Sequence, residues 1–220
     1  MTASCDSDFP PNRRRKWVVG SGSNGLFGNM SLEFRESHEG DGETIRRIHE
    51  QAFQQMEEAD LTLELLLDPT ARPMLSLFAL EGGSPVAHVL FTSVFLERTG
   101  GQPELEEVQA FILAPMAVLP DYQGRNIGTS LIKEGLRLLQ EKGGDMVFVL
   151  GHIDYYPRAG FHHDAGSHGF GAPYPVPEQF KDAWMFLPLS GRGQAMLEEE
   201  GASWAIRCAD VLNQEKYWAQ

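Results

Sequence analysis

The sequence predicts an α/β domain, and three observations lead to that prediction. Strand-like and helix-like stretches alternate between residues 32 and 150. Two apolar runs flank Gly82-Gly83-Ser84, which indicates a β-hairpin. The run MVFVL at 146–150 lacks polar alternation, as is typical of a strand buried on both faces. The chain of 220 residues is long enough for one such domain with appendages.

The first half of the domain is predicted to hold a strand, two helices and the hairpin. LEFRES (32–37) alternates apolar and polar residues, so it is expected to form a strand. A short second helix is expected at 60–69, where Pro69 would stop it. The hairpin strands lead into a polar loop at 97–107. The first helix is predicted from apolar residues at steps of three and four, namely Ile45, Ile48, Ala52, Phe53 and Met56.

The second half is predicted to hold a long strand, a helix and the buried strand. The long strand spans 108–118 and contains Pro115, which removes one ladder donor and predicts a bulge or a splayed edge. The turn YQGRNIG follows, and apolar residues then continue on helical spacing from Ile127 to Leu139. Gly143-Gly144 is expected to end that helix.

Both ends of the chain differ from the domain, which we place at residues 30–190. Residues 1–29 contain RRRKW and a Gly/Ser-rich stretch, so we expect a flexible N-terminal tail. Residues 191–220 are expected to form a C-terminal extension packed on the domain, with a closing strand and helix as one option.

The charge balance narrows the class of partner. The whole chain has a formal charge of −13, and leaving out the four basic and two acidic residues of 1–29 makes it −15. Such a surface disfavours nucleic-acid binding and is compatible with a cationic small molecule or basic peptide. No apolar run is long enough to span a membrane, so no membrane partner is expected. Two cysteines at opposite ends make no disulfide framework, which favours a cytoplasmic protein.

The turn between the long strand and its helix is suited to bind an anion. The first amides of a helix have no intrahelical partner and carry partial positive charge. Gly124 and Gly128 leave room for a phosphate, Arg125 offers a charged donor, and Asn126 tolerates a left-handed conformation. The spacing matches neither a P-loop nor a dinucleotide-binding loop.

Two motifs carry a resemblance to a known family. MAVLPDYQGRNIGTSLI resembles the pyrophosphate-binding segment of the GNAT superfamily of N-acetyltransferases, whose pattern is [Gln/Arg]-x-x-Gly-x-[Gly/Ala]. Gln123 and Gly128 match the ends of the pattern, but Asn126 stands in place of a glycine. YYPRAGF resembles the superfamily's Tyr-x-x-x-Gly-Phe through Tyr156, Gly160 and Phe161. The longer phrase VLGHIDYYPRAGF is similar to the YhbS-like subgroup of bacterial predicted acetyltransferases.

The resemblance implies a fold and an activity. The GNAT fold has a mixed, mostly antiparallel central sheet with helices on both faces and a splayed strand pair. The family moves an acetyl group from acetyl-CoA to an amine by direct attack in a ternary complex, without a metal. Tyr156 would be the catalytic acid that protonates the leaving thiolate. The residues expected to bind acetyl-CoA are Met116, Ala117, Val118, Gln123, Gly124, Arg125, Asn126, Ile127, Gly128 and Thr129.

Several alternatives stay open from the sequence. The general base is unassigned, with weak candidates at Glu106, Glu107, Gln109, His152 and Asp154. The acceptor is a small-molecule or peptide amine, whose choice would lie in segments 45–68, 97–107 and 162–182. A homodimer is possible.

Two rival readings remain besides acetyl transfer. The same fold would also serve as a non-catalytic acetyl-CoA sensor or interaction module. A metal site at FHHD (161–164) with His152 and His168 is disfavoured, because neighbouring histidines on a strand point to opposite faces.

Overall fold

A computed structural model describes residues 17–18, 32–99, 108–199 and 201–218 of the chain. The strands are β1 (Trp17–Val18), β2 (Leu32–Glu36), β3 (Met74–Glu81), β4 (Ser84–Arg98), β5 (Ala110–Val118), β6 (Met146–Leu150), β7 (Phe170–Gly171), β8 (Trp184–Pro188) and β9 (Trp204–Arg207). The α-helices are α1 (Gly42–Phe53), α2 (Glu57–Leu67), α3 (Ile127–Glu141) and α4 (Gly191–Glu198).

The strands form one mixed sheet in the order β1-β2-β3-β4-β5-β6-β8. Most neighbours along this path are antiparallel, and β5 with β6 is the parallel pair. Strand β9 pairs with the far end of β4 and with the short β7. A parallel pair requires a crossover connection, and α3 provides it between β5 and β6.

Helices cover both faces of the sheet, as expected. Residues 88 and 91 of β4 point to opposite faces because they are separated by an odd number of positions. His88 contacts His49 of α1, so α1 lies on its face. Phe91 lies against Gly135 of α3, where an added Cβ would come within 2.4 Å of the ring. Gly135 therefore lets α3 pack closely on the opposite face.

The element order predicted from the sequence is confirmed between β2 and β6. The hairpin turns at Gly82 and Gly83, which both have positive φ. Helix α2 begins at Glu57, three residues before the predicted start, and ends at Leu67 just before Pro69. Gly143 adopts φ 88° beyond the end of α3, as a helix-terminating glycine does.

The two termini add to the sheet. Within the segment predicted as a flexible tail, Trp17–Val18 pairs with β2 as an antiparallel strand, and the tail's other residues lie outside the described part of the chain. The C-terminal extension contributes α4 and β9, and β9 pairs with Phe95–Arg98 of β4. The expected closing strand is therefore present as β9. It follows the helix α4, and it pairs with the end of β4 instead of adding to the edge of the main sheet. Within the described ranges, no helix is long and apolar enough to cross a bilayer.

A chain of buried polar side chains ties α1 and α2 to the sheet. The Thr62 hydroxyl donates to the Glu58 carbonyl over 2.5 Å, so its oxygen accepts from Nδ1 of His49 at 3.3 Å. Nε2 of His49 then accepts from Nδ1 of His88 at 2.9 Å, and Nε2 of His88 accepts from the Ser76 hydroxyl at 2.8 Å. With this polarity each imidazole carries one proton and is neutral. His88 is therefore a buried core residue whose two ring nitrogens are both hydrogen-bonded.

Burial keeps both imidazoles neutral. It lowers the pKa of His49 to about 4 and takes the pKa of His88 well below its usual value, since no solvent stabilises the charged form. The neighbouring His49 lowers the pKa of His88 further, while Asp41 opposes the shift. In the unfolded chain both groups titrate near 6.5.

We therefore expect stability to fall as the pH drops from 7 to 5. Over this range the unfolded chain takes up protons that the folded protein refuses, so each of the two histidines should remove about 2 kcal/mol of unfolding free energy. Urea unfolding at pH 7, 6 and 5 measures the loss. The double variant His49→Leu/His88→Met should lose most of the pH dependence, whereas His163→Gln, at an exposed imidazole, should keep it. A wild-type stability that is flat between pH 7 and 5 would contradict the assignment.

Candidate functional site

Strands β5 and β6 separate after the first three of the nine residues of β5. Their parallel register joins Ala110–Ile112 to Met146–Phe148 and ends there. Strand β5 continues to Val118 while remaining paired with β4 on its other side. The second half of β5 thus faces a gap, which is the splayed strand pair expected from the family resemblance.

A β-bulge accompanies the separation. Val89 of β4 pairs with Met116, whereas Phe91 pairs with Leu113, so two residues of β5 stand opposite Leu90. These two residues include the proline at which the sequence predicted a bulge. The extra residue shifts the side-chain alternation by one position, so Met116 joins Leu113 on the face that α3 covers.

A cleft of about 410 Å³ lies on this face, between the end of β5 and the start of α3. The bulge brings Met116 and Val118 to its wall, while the Ala117 side chain is buried elsewhere. The other described residues around the cleft are Ala52, Phe53, Tyr122, Gln123, Gly124, Asn126, Ile127, Gly128, Thr129, Tyr155 and Arg158.

The turn at the mouth of α3 has the geometry that its sequence predicts. Asn126 is the N-cap residue and adopts φ 61° and ψ 12°, the left-handed conformation expected of an asparagine in a glycine position. Gly124 has φ 71°, and a Cβ added there would meet no atom within 4 Å, so this side of the turn is open. The amides of Ile127–Thr129 lie in the first helical turn, which leaves them without intrahelical partners.

Gln123 holds the turn instead of opening it. Its amide donates to the Pro120 carbonyl at 3.2 Å, and its side-chain Nε2 donates to the Val118 carbonyl at 3.0 Å. Both the amide and the side chain of Gln123 are therefore engaged within the turn.

Arg125 is directed away from the cleft, which differs from its expected role as a charged donor. Its guanidinium forms an ion pair with the buried carboxylate of Glu81 at the end of β3. It also lies 5.2 Å from the centre of the Tyr122 ring. In this conformation Arg125 anchors the turn to the sheet.

Gly128 is required by packing, for a reason the sequence did not show. An added Cβ would lie 2.2 Å from the Tyr155 hydroxyl, 3.2 Å from Cγ2 of Val118 and 3.4 Å from Cε of Met116. The space that was expected to admit a phosphate at this glycine is filled by the Tyr155 side chain.

The two adjacent tyrosines have different surroundings. The Tyr156 ring packs over Gly151, at the end of β6, and meets the Phe161 ring edge-on at 5.9 Å. Burial raises the pKa of Tyr156 well above its usual value, and the neighbouring Tyr155 adds to the shift. Tyr156 therefore stays protonated beside the point where β5 and β6 part.

Tyr155 is the tyrosine that borders the cleft, and sequence reasoning missed it. Burial raises its pKa, while a hydrogen bond with Thr129 and the charge of Arg158 oppose that rise. The available signal was the doubled tyrosine in YYPRAGF, of which only the second matched the motif.

A second, larger cavity of about 1100 Å³ opens at the same gap. It is lined by Ile112–Ala114 of β5, by Leu150 at the end of β6 and by Gly151 just after that strand. Its remaining described wall comes from α2, the segment after β6 and the C-terminal end: Glu57, Glu58, Asp60, Leu61, Glu64, His152, Ile153, Val176, Pro177, Gln179, Phe180, Asp182, Ala183, Leu212, Lys216, Tyr217 and Trp218.

The weak base candidates are scattered. His152 borders the larger cavity. Gln109 lies at the opposite end of β5, where its carbonyl accepts from the Asp145 amide and its own amide donates to the Asp145 carboxylate. Asp154 is exposed and accepts from Arg158 through its carbonyl. Glu106 and Glu107 lie outside the described residues.

The histidine-rich segment is dispersed as well. Nδ1 of His163 lies 3.0 Å from the Asp182 carbonyl, while the His162 and His168 rings contact Phe186. Among the described residues, no group of three His, Cys, Asp or Glu side chains is placed to hold a metal ion.

We expect Gly128→Ala to destabilise the protein by about 1–3 kcal/mol, because the new methyl group must displace the Tyr155 hydroxyl. Adding Tyr155→Phe removes that hydroxyl and should recover most of the loss. Chemical denaturation measures both effects. Gly191→Ala, a helix position with open space around its Cβ, is the matched control. A stable Gly128→Ala protein, or a double variant no better than the single one, would contradict this packing.

Comparisons with known proteins agree with the geometry. Residues 42–163 match the acetyltransferase (GNAT) family. The chain is 42% identical over 177 residues to the uncharacterized N-acetyltransferase YjhQ of Escherichia coli K12, covering 80% of this chain and 92% of that protein.

Solved structures show the same fold. The GNAT family N-acetyltransferase YhbS from E. coli, in complex with CoA, superimposes with a TM-score of 0.70 at 24% identity over 87% of this chain and 97% of that one. A GNAT family acetyltransferase from Brucella melitensis, in complex with acetyl-CoA, superimposes with a TM-score of 0.51 at 32% identity. The match covers 59% of this chain and 82% of that one. With more than half of its length matched and a relative at 42% identity, the chain belongs to the GNAT family of N-acetyltransferases.

Proposed function

We propose that the protein transfers an acetyl group from acetyl-CoA to an amine by direct attack while both substrates are bound. The observation that carries this proposal is the gap between β5 and β6. The smaller cleft with the start of α3 borders the gap on one side, and the larger cavity borders it on the other. The two substrates would therefore meet without exchanging places.

The smaller cleft is suited to hold the cofactor. The diphosphate would bind the amides of Gly124–Thr129, where the positive end of α3 compensates for the negative charge of the whole protein. The pantetheine arm would pair with backbone groups of Met116 and Ala117 on the side of β5 away from β4, as an added strand does. The Brucella relative was crystallised with acetyl-CoA, which supports this assignment. When bound, acetyl-CoA supplies the activated acetyl thioester.

Tyr156 is our candidate for the general acid. Tyrosine is protonated at neutral pH, and the upward shift of the Tyr156 pKa does not change that state, so the phenol has a proton to donate to a thiolate leaving group. Its ring lies over Gly151, which borders the larger cavity at the gap. Tyr155 is less suited to this role because its hydroxyl is engaged with Thr129.

The acceptor would enter from the larger cavity. An alkylamine is almost fully protonated at pH 7 and must lose a proton before it attacks. The cavity has exposed rim residues and is bordered by His152, so water there can take that proton. Attack on the acetyl carbonyl would break its bond to sulfur and release CoA as a thiolate, which Tyr156 would protonate. The proton that the acetylated nitrogen then loses would restore the tyrosine.

Acetyl-CoA binding tests the cofactor site through the left-handed residue Asn126. We expect Asn126→Gly to bind acetyl-CoA as tightly as the wild type, since glycine adopts the same conformation without strain. Asn126→Val should weaken binding about tenfold. A β-branched residue at positive φ costs about 1–2 kcal/mol, so the free turn of this variant would leave the left-handed conformation and would have to regain it when acetyl-CoA binds. Isothermal titration measures the affinities, and a thermal melt checks that each variant is folded.

The same titration separates the proposal from its alternatives. Wild-type protein that does not bind acetyl-CoA would exclude both acetyl transfer and a sensor role. Binding without free-thiol release from any amine in a broad panel would favour the non-catalytic sensor.

Replacement of the proposed acid should slow the chemical step. Tyr156→Phe should lower kcat by about 100-fold or more with little change in the KM for acetyl-CoA. Tyr155→Phe should instead act mainly on that KM, since this residue borders the cofactor cleft. Thiol release under steady-state conditions measures both. An unchanged kcat in Tyr156→Phe would remove Tyr156 from the mechanism.

A further inference from the structure

We propose that the larger cavity selects an acceptor that carries its reactive amine and a second cationic group on one apolar body, and that the C-terminal segment builds part of this selectivity. The inference rests on the proposed acetyl transfer and names the substrate class for it. The cavity itself defines the site, because it ends at the gap where the transfer would occur.

The inner wall of the cavity is apolar. The buried residues of this wall have at most 7% of their surface exposed and are Leu61, Ile112, Leu212 and Trp218. Leu150 is half-buried beside them. They come from α2, β5, β6 and the C-terminal end, so they converge on the point where β5 and β6 separate. Such a wall favours an alkyl or aryl body over a sugar-like one.

The rim is acidic. Glu57 and Glu64 on α2 and Asp182 across the cavity are exposed carboxylates, and Glu58 and Asp60 add two that are half-buried. The carboxylate of Asp60 pairs with Arg46 at 2.8 Å. The other four carboxylates still give the rim an excess of negative charge.

One ammonium group opposes these carboxylates among the described residues that line the cavity. Lys216 supplies it, and its Nζ lies 4.6 Å from the centre of the Tyr217 ring. A cation bound at the rim is therefore favoured and an anion is disfavoured.

The two regions cannot both serve the same amine. A carboxylate close to the reactive amine would raise its pKa and keep it protonated, which prevents attack. Apolar surroundings have the opposite effect, because desolvation lowers the pKa of an amine and favours its neutral, nucleophilic form. The reactive amine thus belongs at the inner wall near Gly151, and the rim carboxylates suit a different positive group on the same molecule.

The C-terminal wall is fixed to the domain by specific hydrogen bonds. The Asp68 carboxylate, after α2, accepts from the Val211 amide at 3.0 Å, and the Thr70 hydroxyl oxygen accepts from the Asp210 amide at 2.8 Å. The Tyr174 hydroxyl donates to the Asn213 carbonyl at 3.1 Å.

The last described residue of this wall is fixed too. The Trp218 indole donates to the Leu212 carbonyl at 3.0 Å and packs edge-on against Trp184 at 5.7 Å. This wall lies after residue 163, where the match to the family ends. Acceptor choice would therefore depend on a part of the chain outside the matched segment.

Three probes with the same chain and different far ends test the inference: 1,8-diaminooctane, octylamine and 8-aminooctanoic acid. We expect kcat/KM to be about tenfold higher for the diamine than for octylamine, and lowest for the amino acid, as an ion pair at a partly exposed rim contributes about 1 kcal/mol. The differences should shrink in about 0.5 M salt, which screens the rim.

Variants at the rim should shift the order in opposite directions. Glu64→Gln/Asp182→Asn should lower kcat/KM several-fold more for the diamine than for octylamine, so the ratio of the two values falls. Lys216→Gln should raise kcat/KM for the diamine and lower kcat/KM for 8-aminooctanoic acid. The control Glu39→Gln/Glu43→Gln removes the same net charge from positions that do not line the cavity and should change none of the ratios.

Binding of the three probes to CoA-saturated protein, measured by calorimetry, separates the two proposals. Binding in the expected order without acetyl transfer would support the substrate class and overturn the proposed function. Transfer with equal kcat/KM for the three probes would support the function and overturn the substrate class. If none of the three probes binds and none is acetylated, the substrate class is overturned as well.

Discussion

The site depends on one backbone constraint, the separation of β5 from β6 after three paired positions. Up to Ile112 the two strands share a normal parallel ladder, and beyond it the second half of β5 keeps only its partner β4. An unpaired strand edge inside a protein exposes amides and carbonyls that need partners. In the proposed function the pantetheine arm is that partner, so the defect in the sheet and the cofactor site are the same feature.

The bulge opposite Leu90 changes which face of the sheet the β5 side chains point to, so the same strand lines two cavities. Ile112 before the bulge and Ala114 within it border the larger cavity, whereas Met116 and Val118 after the bulge border the smaller cleft. A single extra residue therefore lets one strand serve both. This arrangement explains how a protein with a net charge of −13 can be suited to an anionic cofactor: the amides at the start of α3 act locally on one side, and the acidic rim acts on the other.

Local sequence patterns predicted most elements of the fold, because periodicity and turn residues report on local structure. The hairpin, the buried strand β6, the bulge near Pro115 and the left-handed Asn126 all follow from such patterns. Contacts between distant residues were not predictable in the same way. His49 and His88 are 39 residues apart, and the pairing of Arg125 with Glu81 joins residues 44 apart.

The same limit applies to the candidate site. The motif identified Tyr156 and the turn, but the filling of the space at Gly128 by Tyr155 depends on how the segment after β6 folds back onto α3. The C-terminal wall was missed because its hydrogen bonds to Asp68 and Thr70 link residues about 140 positions apart, and no local pattern marks them.

Amide hydrogen exchange with and without acetyl-CoA tests the central claim most directly, because it reports on backbone groups at the gap. We predict that acetyl-CoA slows exchange in peptides covering Gly124–Thr129 and the second half of β5, while peptides from β2 and β3 stay unchanged. Tight acetyl-CoA binding that leaves both of those segments unprotected, or that protects a different surface, would contradict it.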